Sequence, residues 1–378
     1  MEQTFLTGIH INKIRHLSNI YIPLSADTRK NLIFTGKNGS GKTSVLEKLA
    51  DCIFYAADPT EGRDDIEQVT TINPFFGDIT ISCISVKKLE EKYRSGQLIL
   101  AYFEDLHRLI VDVPNNVVKI TPHPFYNRYD KPSRELVRYM VSLKATQAFA
   151  KSEKNSQRAK EIEEWFQRFE NILRLIYDNN SLKLNFDIET FQFSITIDGL
   201  EPFDFNTMSM GYAAVFDIIS DLMMRMESQH RYDLEGIVLI DEIETHLHVE
   251  LQKKIVPILT KLFPNIQFIM TTHSPFVLNS ARNAVVYDLE KHMLVENGLT
   301  NLPYEGIVEG YFGADLLSQE LREKFEKYRK LVQKSDLTDE DFVEAAELEM
   351  YLDEVPDYLA LGIATEYSRL KLEFANKG

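Results

Sequence analysis

Cysteine is nearly absent: 378 residues contain only Cys52 and Cys83. That excludes a disulfide-built secreted scaffold and suits a reducing compartment. Nowhere do 18 apolar residues run together, so no membrane span is expected. The opening MEQTFLTGIHINKIRHL lacks the long apolar stretch of a signal peptide. These absences predict a cytoplasmic chain that makes no membrane contact. No repeat and no low-complexity segment is visible, which sets solenoids aside. Positive charge is also short: 42 Lys and Arg stand against 58 Asp and Glu, a formal net charge of −16. A molecule so charged repels nucleic acid at long range.

The deficit is uneven. Ser335–Gly378 holds 12 acidic and 3 basic residues, a net −9. Arg128–Lys160 holds 9 basic and 3 acidic residues, a net +6. The basic residues are Arg128, Lys131, Arg134, Arg138, Lys144, Lys151, Lys154, Arg158 and Lys160, with Tyr126 and Tyr129 near the start. Two readings stand for this stretch: a solvated helical arm, or a surface for a nucleic-acid backbone or a partner protein. The acidic tail carries Leu348, Tyr351, Leu352, Val355, Leu359 and Leu361, too many apolar residues for an isolated polar tail. Solvated helices, a docking module and a dimerisation arm all fit it.

Hydrophobic spacing predicts strands at Phe5–Ile11, Ile20–Leu24, Asn31–Thr35, Ile79–Val86 and Leu98–Phe103, with a helix over Lys42–Phe54. Helices are expected over Ser133–Ala150 and Ala159–Tyr177. The second carries the sole tryptophan, Trp165, on an apolar stripe, where packing is the ordinary role. Strands near Leu182–Asp187 and Gln192–Ile197 precede a helix over Ser209–Met226. The apolar runs Gly236–Ile240 and Gln267–Thr272 read as buried parallel strands, separated by a helix over Val249–Leu262. Beyond Gly306 the pattern is helical: Leu316–Lys334, Thr338–Glu354 and Asp357–Phe374. Alternating strands and helices imply an α/β doubly wound, mainly parallel sheet, with an antiparallel N-terminal sheet, an inserted helical arm and a helical C-terminal appendix.

Gly36-Lys37-Asn38-Gly39-Ser40-Gly41-Lys42-Thr43 matches G-x-x-x-x-G-K-[ST] between a strand and a helix. Glycines let successive backbone N–H groups converge on phosphate oxygens at the positive end of the helix. Lys42 supplies charge to the β and γ phosphates, and the Thr43 hydroxyl is the natural Mg²⁺ ligand. The expected nucleotide set is Gly36, Lys37, Asn38, Gly39, Ser40, Gly41, Lys42, Thr43 and Ser44, with ATP and Mg²⁺ as ligands. A second element is the strand ending Ile240-Asp241-Glu242. Here Asp241 would hold Mg²⁺, and Glu242 would orient and deprotonate the attacking water.

Three further pieces carry a family resemblance. Ser209-Met210-Gly211-Tyr212 before a helix resembles the S-x-G signature of ABC-type ATPases, in a variant with an aromatic after the glycine. Glu244-Thr245-His246-Leu247-His248 looks like the D-loop of ATPases in the overcoming-lysogenisation, RecF and SMC group, which explains both histidines without a zinc site. Thr271-Thr272-His273-Ser274-Pro275 resembles that group's switch histidine. Lys13-Ile14-Arg15-His16 is similar to the N-terminal segment that helps hold nucleotide in recombination ATPases, which makes Arg15 a nucleotide-binding candidate. The resemblance covers roughly residues 3–290. Within the group the chain resembles the short-armed, PtuA-like ATPases of bacterial anti-phage systems, Septu and some retrons.

That resemblance implies two heads sandwiching two ATP molecules, each capped by Ser209 and Gly211 of the other copy, with His273 sensing the γ-phosphate. A homodimer or higher even oligomer is implied, and so is a separate effector, an HNH-type nuclease or toxin, joined in retrons by a reverse transcriptase and its RNA/DNA. No Toprim-like strand pattern follows, so no nuclease site is expected in this chain. Residues 1–120 and 181–305 would form the two parts of the head, 121–180 the basic arm, and 306–378 the acidic module. The Gln-loop has two candidates, Gln68 and the stretch Ala101–His107. Two other functions stay open: a RecF-like repair ATPase, and a nucleotide-responsive scaffold that needs no hydrolysis.

Overall fold

The structure is a computed structural model that describes residues 4–58, 78–83, 85–104, 111, 114, 116–123, 125–302, 306–311, 318–334, 336–354 and 361–375. Gln68, Val355 and Leu359 lie outside these residues, as do the positions after Glu104 in the Ala101–His107 stretch. The chain divides into two compact units, Met1–Tyr304 and Glu305–Gly378.

The first unit opens with strands β1 (Leu6–Ile14), β2 (Leu17–Pro23) and β3 (Asn31–Thr35), then helix α1 (Lys42–Ala57). Strand β4 (Ile79–Cys83), helix α2 (Val86–Arg94) and strand β5 (Leu98–Phe103) follow. Helices α3 (Leu136–Ser152) and α4 (Ser156–Tyr177) lead to the hairpin β6 (Lys183–Phe186) and β7 (Phe193–Thr196). Then come α5 (Met210–Glu227), β8 (Glu235–Ile240), α6 (Val249–Gln252), α7 (Ile255–Leu262) and β9 (Ile266–Thr271). The unit closes with α8 (Pro275–Ser280), β10 (Ala284–Asp288) and β11 (Met293–Val295).

The central sheet has the order β11-β10-β3-β9-β8-β5, parallel except for the β10–β11 pair. A separate antiparallel sheet, β2-β1-β4, joins the N-terminal strands. Strand β8 alternates between two buried faces. Ile237 and Leu239 join one core with Leu32, Phe34, Leu46, Leu49 and Leu100, while Val238 and Ile240 point the other way and are also buried. A strand covered on both faces reads as a continuous apolar run, which is why GIVLI stood out. On the α5 side, Arg225 is buried and reaches across to β5. It donates to Asp221 Oδ1 at 2.6 Å, Leu100 O at 3.0 Å and Asp130 O at 3.1 Å.

Two expectations change. The strand at Ile79–Val86 ends at Cys83, because the Ser85 hydroxyl accepts from Lys88 N and starts α2. The helix over Val249–Leu262 is broken at Lys253-Lys254 into α6 and α7. Pro257 explains the break: its ring lacks an N–H and would clash with the Lys253 carbonyl in a continuous helix.

Helices α3 and α4 pack on each other and on α5 within the first unit. Trp165 stacks on Phe169 at 5.4 Å and donates from Nε1 to Glu227 Oε2 at 3.0 Å. Of the basic stretch, Arg128 is drawn inward to Asp51 and lies over the Tyr102 ring at 4.7 Å. Lys144 sits over Phe166 at 4.0 Å. Both cations are therefore engaged within the fold, and the stretch presents less positive surface than its composition suggests.

The second unit, taken by itself, is a helical bundle of α9 (Gln319–Gln333), α10 (Asp339–Asp353) and α11 (Leu361–Ala375). Phe325, Tyr328 and Val332 meet Ala345, Leu348 and Leu352 in its core, with Ile363 and Leu370 from α11. A capping box closes the start of α10, with Thr338 and Asp341 each accepting from the other's backbone N–H.

Candidate functional site

Register aligns the carboxyl ends of the parallel strands. Thr35 stands opposite Asp288, Phe34 opposite Thr271, and Ile240 opposite both Met270 and Phe103. The residues just after those ends therefore share one edge, where open α/β sheets place their ligands.

The loop after β3 owes its shape to three glycines in the left-handed region, Gly36 at φ 134°, Gly39 at 85° and Gly41 at 96°. A Cβ on Gly36 would come within 2.9 Å of Ser40 Oγ. Gly41 is the N-cap of α1, no side chain caps that end, and no acid occupies the first turn. Such a helix start presents N–H groups and a partial positive charge to an anion. Lys42 is 5% exposed, and its ammonium donates to Gly36 O at 2.8 Å and Lys37 O at 3.2 Å. The hydroxyls of Ser40 and Thr35 are buried without a hydrogen-bond partner among the described residues. Buried orphan hydroxyls beside an anion-shaped loop fit a phosphate ligand. Thr43 is exposed and Ser44 half-buried in the first turn.

At the end of β8, Asp241 is buried and accepts the hydroxyl of Thr271 on its Oδ1. The same Thr271 oxygen accepts from Glu242 N at 2.7 Å. Glu242 is exposed with φ 43°, a left-handed conformation costly for a residue with a Cβ. The backbone turns sharply there, so Asp241 is held inside while Glu242 faces out. The Asp241 carboxylate and the Thr43 hydroxyl are hard oxygen donors of the kind a divalent cation takes, alongside phosphate oxygens and water.

Glu244, the first residue of the D-loop candidate, makes a contact across the sheet that its motif does not announce. It is buried, and its Oε1 accepts from both His273 N and His273 Nδ1, each at 2.7 Å. Burial alone would raise its pKa, but hydrogen bonds from His273 and Thr272 outweigh that and lower it. The His273 imidazole is half exposed, and Glu244 raises its pKa. The sequence places Glu244 in the D-loop candidate but gives no sign of its partner.

The D-loop candidate touches the signature candidate of the same chain. A Cβ on Gly211 would lie 3.0 Å from His246 O, so glycine permits this approach. Tyr212 stacks on Tyr177 at 4.1 Å and meets His248 edge-on at 5.9 Å. Ser209 is the exposed N-cap of α5, and its side chain makes no cap hydrogen bond.

Arg15 sits in the β1–β2 turn with φ 53° and is exposed. That turn reaches the phosphate loop: Leu17 Cδ1 and His16 Cε1 lie 3.1 and 3.7 Å from a Cβ placed on Gly41. Lys37 pairs with Glu290 at 3.0 Å, beyond β10, a contact nothing in the sequence signals. The two thiols are remote from this chemistry. Burial pushes Cys52 up to about 12, and burial raises Cys83 as well.

Several known proteins are similar to this chain. Residues 103–279 match a family described as "AAA domain, putative AbiEii toxin, Type IV TA system". The chain is 26% identical to a Septu protein PtuA of Bacillus mycoides (strain KBAB4) over 367 residues, covering 88% of this chain and 48% of that one. It is 35% identical over 134 residues to a "Retron Ec83 probable ATPase" of Escherichia coli, covering 33% of this chain and 24% of that protein. The chain thus spans about half of the Septu relative and a quarter of the retron one. Among solved structures it is similar to an SMC head bound to the C-winged helix domain of ScpA, at TM-score 0.41 and 11% identity, covering 78% of this chain and 98% of that one.

Proposed function

We propose that this chain, an ABC-type ATPase of the PtuA-like group by its sequence relatives, binds and hydrolyses ATP as a dimer and so regulates a separate effector in anti-phage defence. One observation carries the reading: the phosphate loop with Lys42, the Asp241-Glu242 strand end and His273 converge on one edge of the sheet.

The triphosphate would lie along the loop from Gly36 to Ser44, with Lys42 turning from its own loop carbonyls to the phosphates. Thr43 and Asp241 would hold Mg²⁺, which supplies charge neutralisation to the phosphate oxygens when bound. Glu242 would accept a proton from water as the water oxygen bonds to the γ-phosphorus. The bond from that phosphorus to the β-bridging oxygen breaks, and the electron pair leaves on ADP. His273, its Nδ1 taken by Glu244, would present Nε2 toward the γ-phosphate. Ser209 and Gly211 of a second copy would close the site, with the D-loop beside them linking the two halves, and Arg15 would approach from the β1–β2 turn. The family resemblance implies an effector such as an HNH-type nuclease or toxin, with a reverse transcriptase and its RNA/DNA in a retron setting, and relatives named for Septu and for a retron support that resemblance.

Phosphate release by the purified chain tests this. Glu242→Gln is expected to lower turnover by about 10²- to 10³-fold while ATP still binds and a dimer still forms on a sizing column with light scattering. Equal turnover in the variant would remove Glu242 from its role as base, and no phosphate release by the parent chain would end the hydrolysis reading and leave the scaffold.

A further inference from the structure

We infer that the outer face of α10 is a docking surface for a lysine- or arginine-rich amphipathic helix of a separate protein. Helix α10 is apolar on two opposite sides. Ala345, Leu348 and Leu352 fill the bundle core. Val343, Ala346 and Met350, at spacing i, i+3, i+7, form a second stripe facing out. It is open: Val343 is 62% and Met350 71% exposed. One helix of a small bundle needs a single apolar stripe, so this second one is spare for a partner suited to the charges around it.

The charges say which partner. Between Asp336 and Glu354 the sequence has nine acidic and no basic residues. Several acids of the helix are matched within the bundle: Glu344 by Lys327, Asp341 by Lys334 at 2.5 Å, and Asp353, on the α11 side, by Lys371 at 2.6 Å. Glu349 accepts the Tyr328 hydroxyl at 2.6 Å. Asp339, Glu340, Glu347 and Glu354 border the outer stripe and pair with no cation among the described residues. Asp339 and Glu340 suit the helix N-terminus, where the dipole favours acids. Glu347 has no such reason, and Glu354 stands at the negative end, where the dipole opposes it. Acids kept at unfavourable places beside an exposed apolar stripe are complementary to a basic amphipathic helix. A second copy of this face would bring acids against acids, and nucleic acid is repelled for the same reason.

A displayed library of random 16-residue peptides, panned against the full chain, tests the inference. Enriched peptides should interleave Lys or Arg with Leu, Ile, Met or Val at i, i+3/i+4, i+7. A synthetic copy should bind at least about tenfold more weakly to the Val343→Asp/Met350→Asp variant, and to Glu347→Lys/Glu354→Lys, each folded by circular dichroism. Raising salt should weaken it too. No enrichment, enrichment of acidic or neutral peptides, or binding indifferent to both variants would overturn the proposal. So would a fall in oligomeric state in the Asp variant, which would make the face a contact between copies.

Discussion

Glu244 shows how much one carboxylate does at this site. It holds the His273 backbone and ring together, engaging Nδ1 and leaving Nε2 as the ring nitrogen turned from Glu244. Each partner favours the other's charged form, so the signs can be worked out. His273 is raised, so its contribution to stability is complete below the ordinary imidazole pKa of about 6.5 and fades as pH rises through the raised value. Glu244 is lowered, so its contribution is complete above the ordinary glutamate pKa of about 4.3 and fades as pH falls through the lowered value. Between those limits the pair is intact. Glu244→Gln keeps an acceptor but removes the charge, and should bring the His273 pKa down, read from labelled imidazole resonances across pH. Turnover should fall about 10- to 100-fold, as for residues that orient a working histidine. An unchanged His273 titration would deny the coupling whether or not the chain hydrolyses ATP. The glycine-rich loop before α1 was legible as a turn into a helix, because its residues are contiguous in sequence. The Glu244–His273 pair was not, since the partners are 29 positions apart and meet only across two strands.

Elements were readable where their periodicity was strong, as in β3, β8 and α4. Helix α2 escaped because only Leu89 and Tyr93 turn inward among charged neighbours. The α6–α7 break escaped because its apolar spacing continues through Pro257. Strand β10 was passed over, although all five of its residues are buried. The Asp221–Arg225 pair on α5 is a test at this scale. Both side chains are buried, and burial raises the pKa of Asp221. Removing one partner leaves an uncompensated charge, so Arg225→Ala should cost about 3–5 kcal/mol. Replacing both, Asp221→Leu with Arg225→Met, should recover much of that in urea unfolding. No recovery would mean that the bonds to Leu100 and Asp130 matter more than the ion pair.

For the whole molecule, charge decides the company it keeps. With a net charge of −16, and with Arg128 and Lys144 engaged internally, duplex DNA should bind weakly near physiological salt. Fluorescence anisotropy over a salt series would check this. Tight, ATP-dependent binding lost on changing Arg134 and Arg138 would favour the repair ATPase instead. The two thiols have a further consequence. Burial holds both thiols toward the neutral form, Cys52 most strongly, and the thiolate is the form that reacts. Buried Cys52 should therefore react slowly with alkylating dyes, so with half-buried Cys83 changed to Ser a single cysteine placed at Met350 could carry a fluorophore.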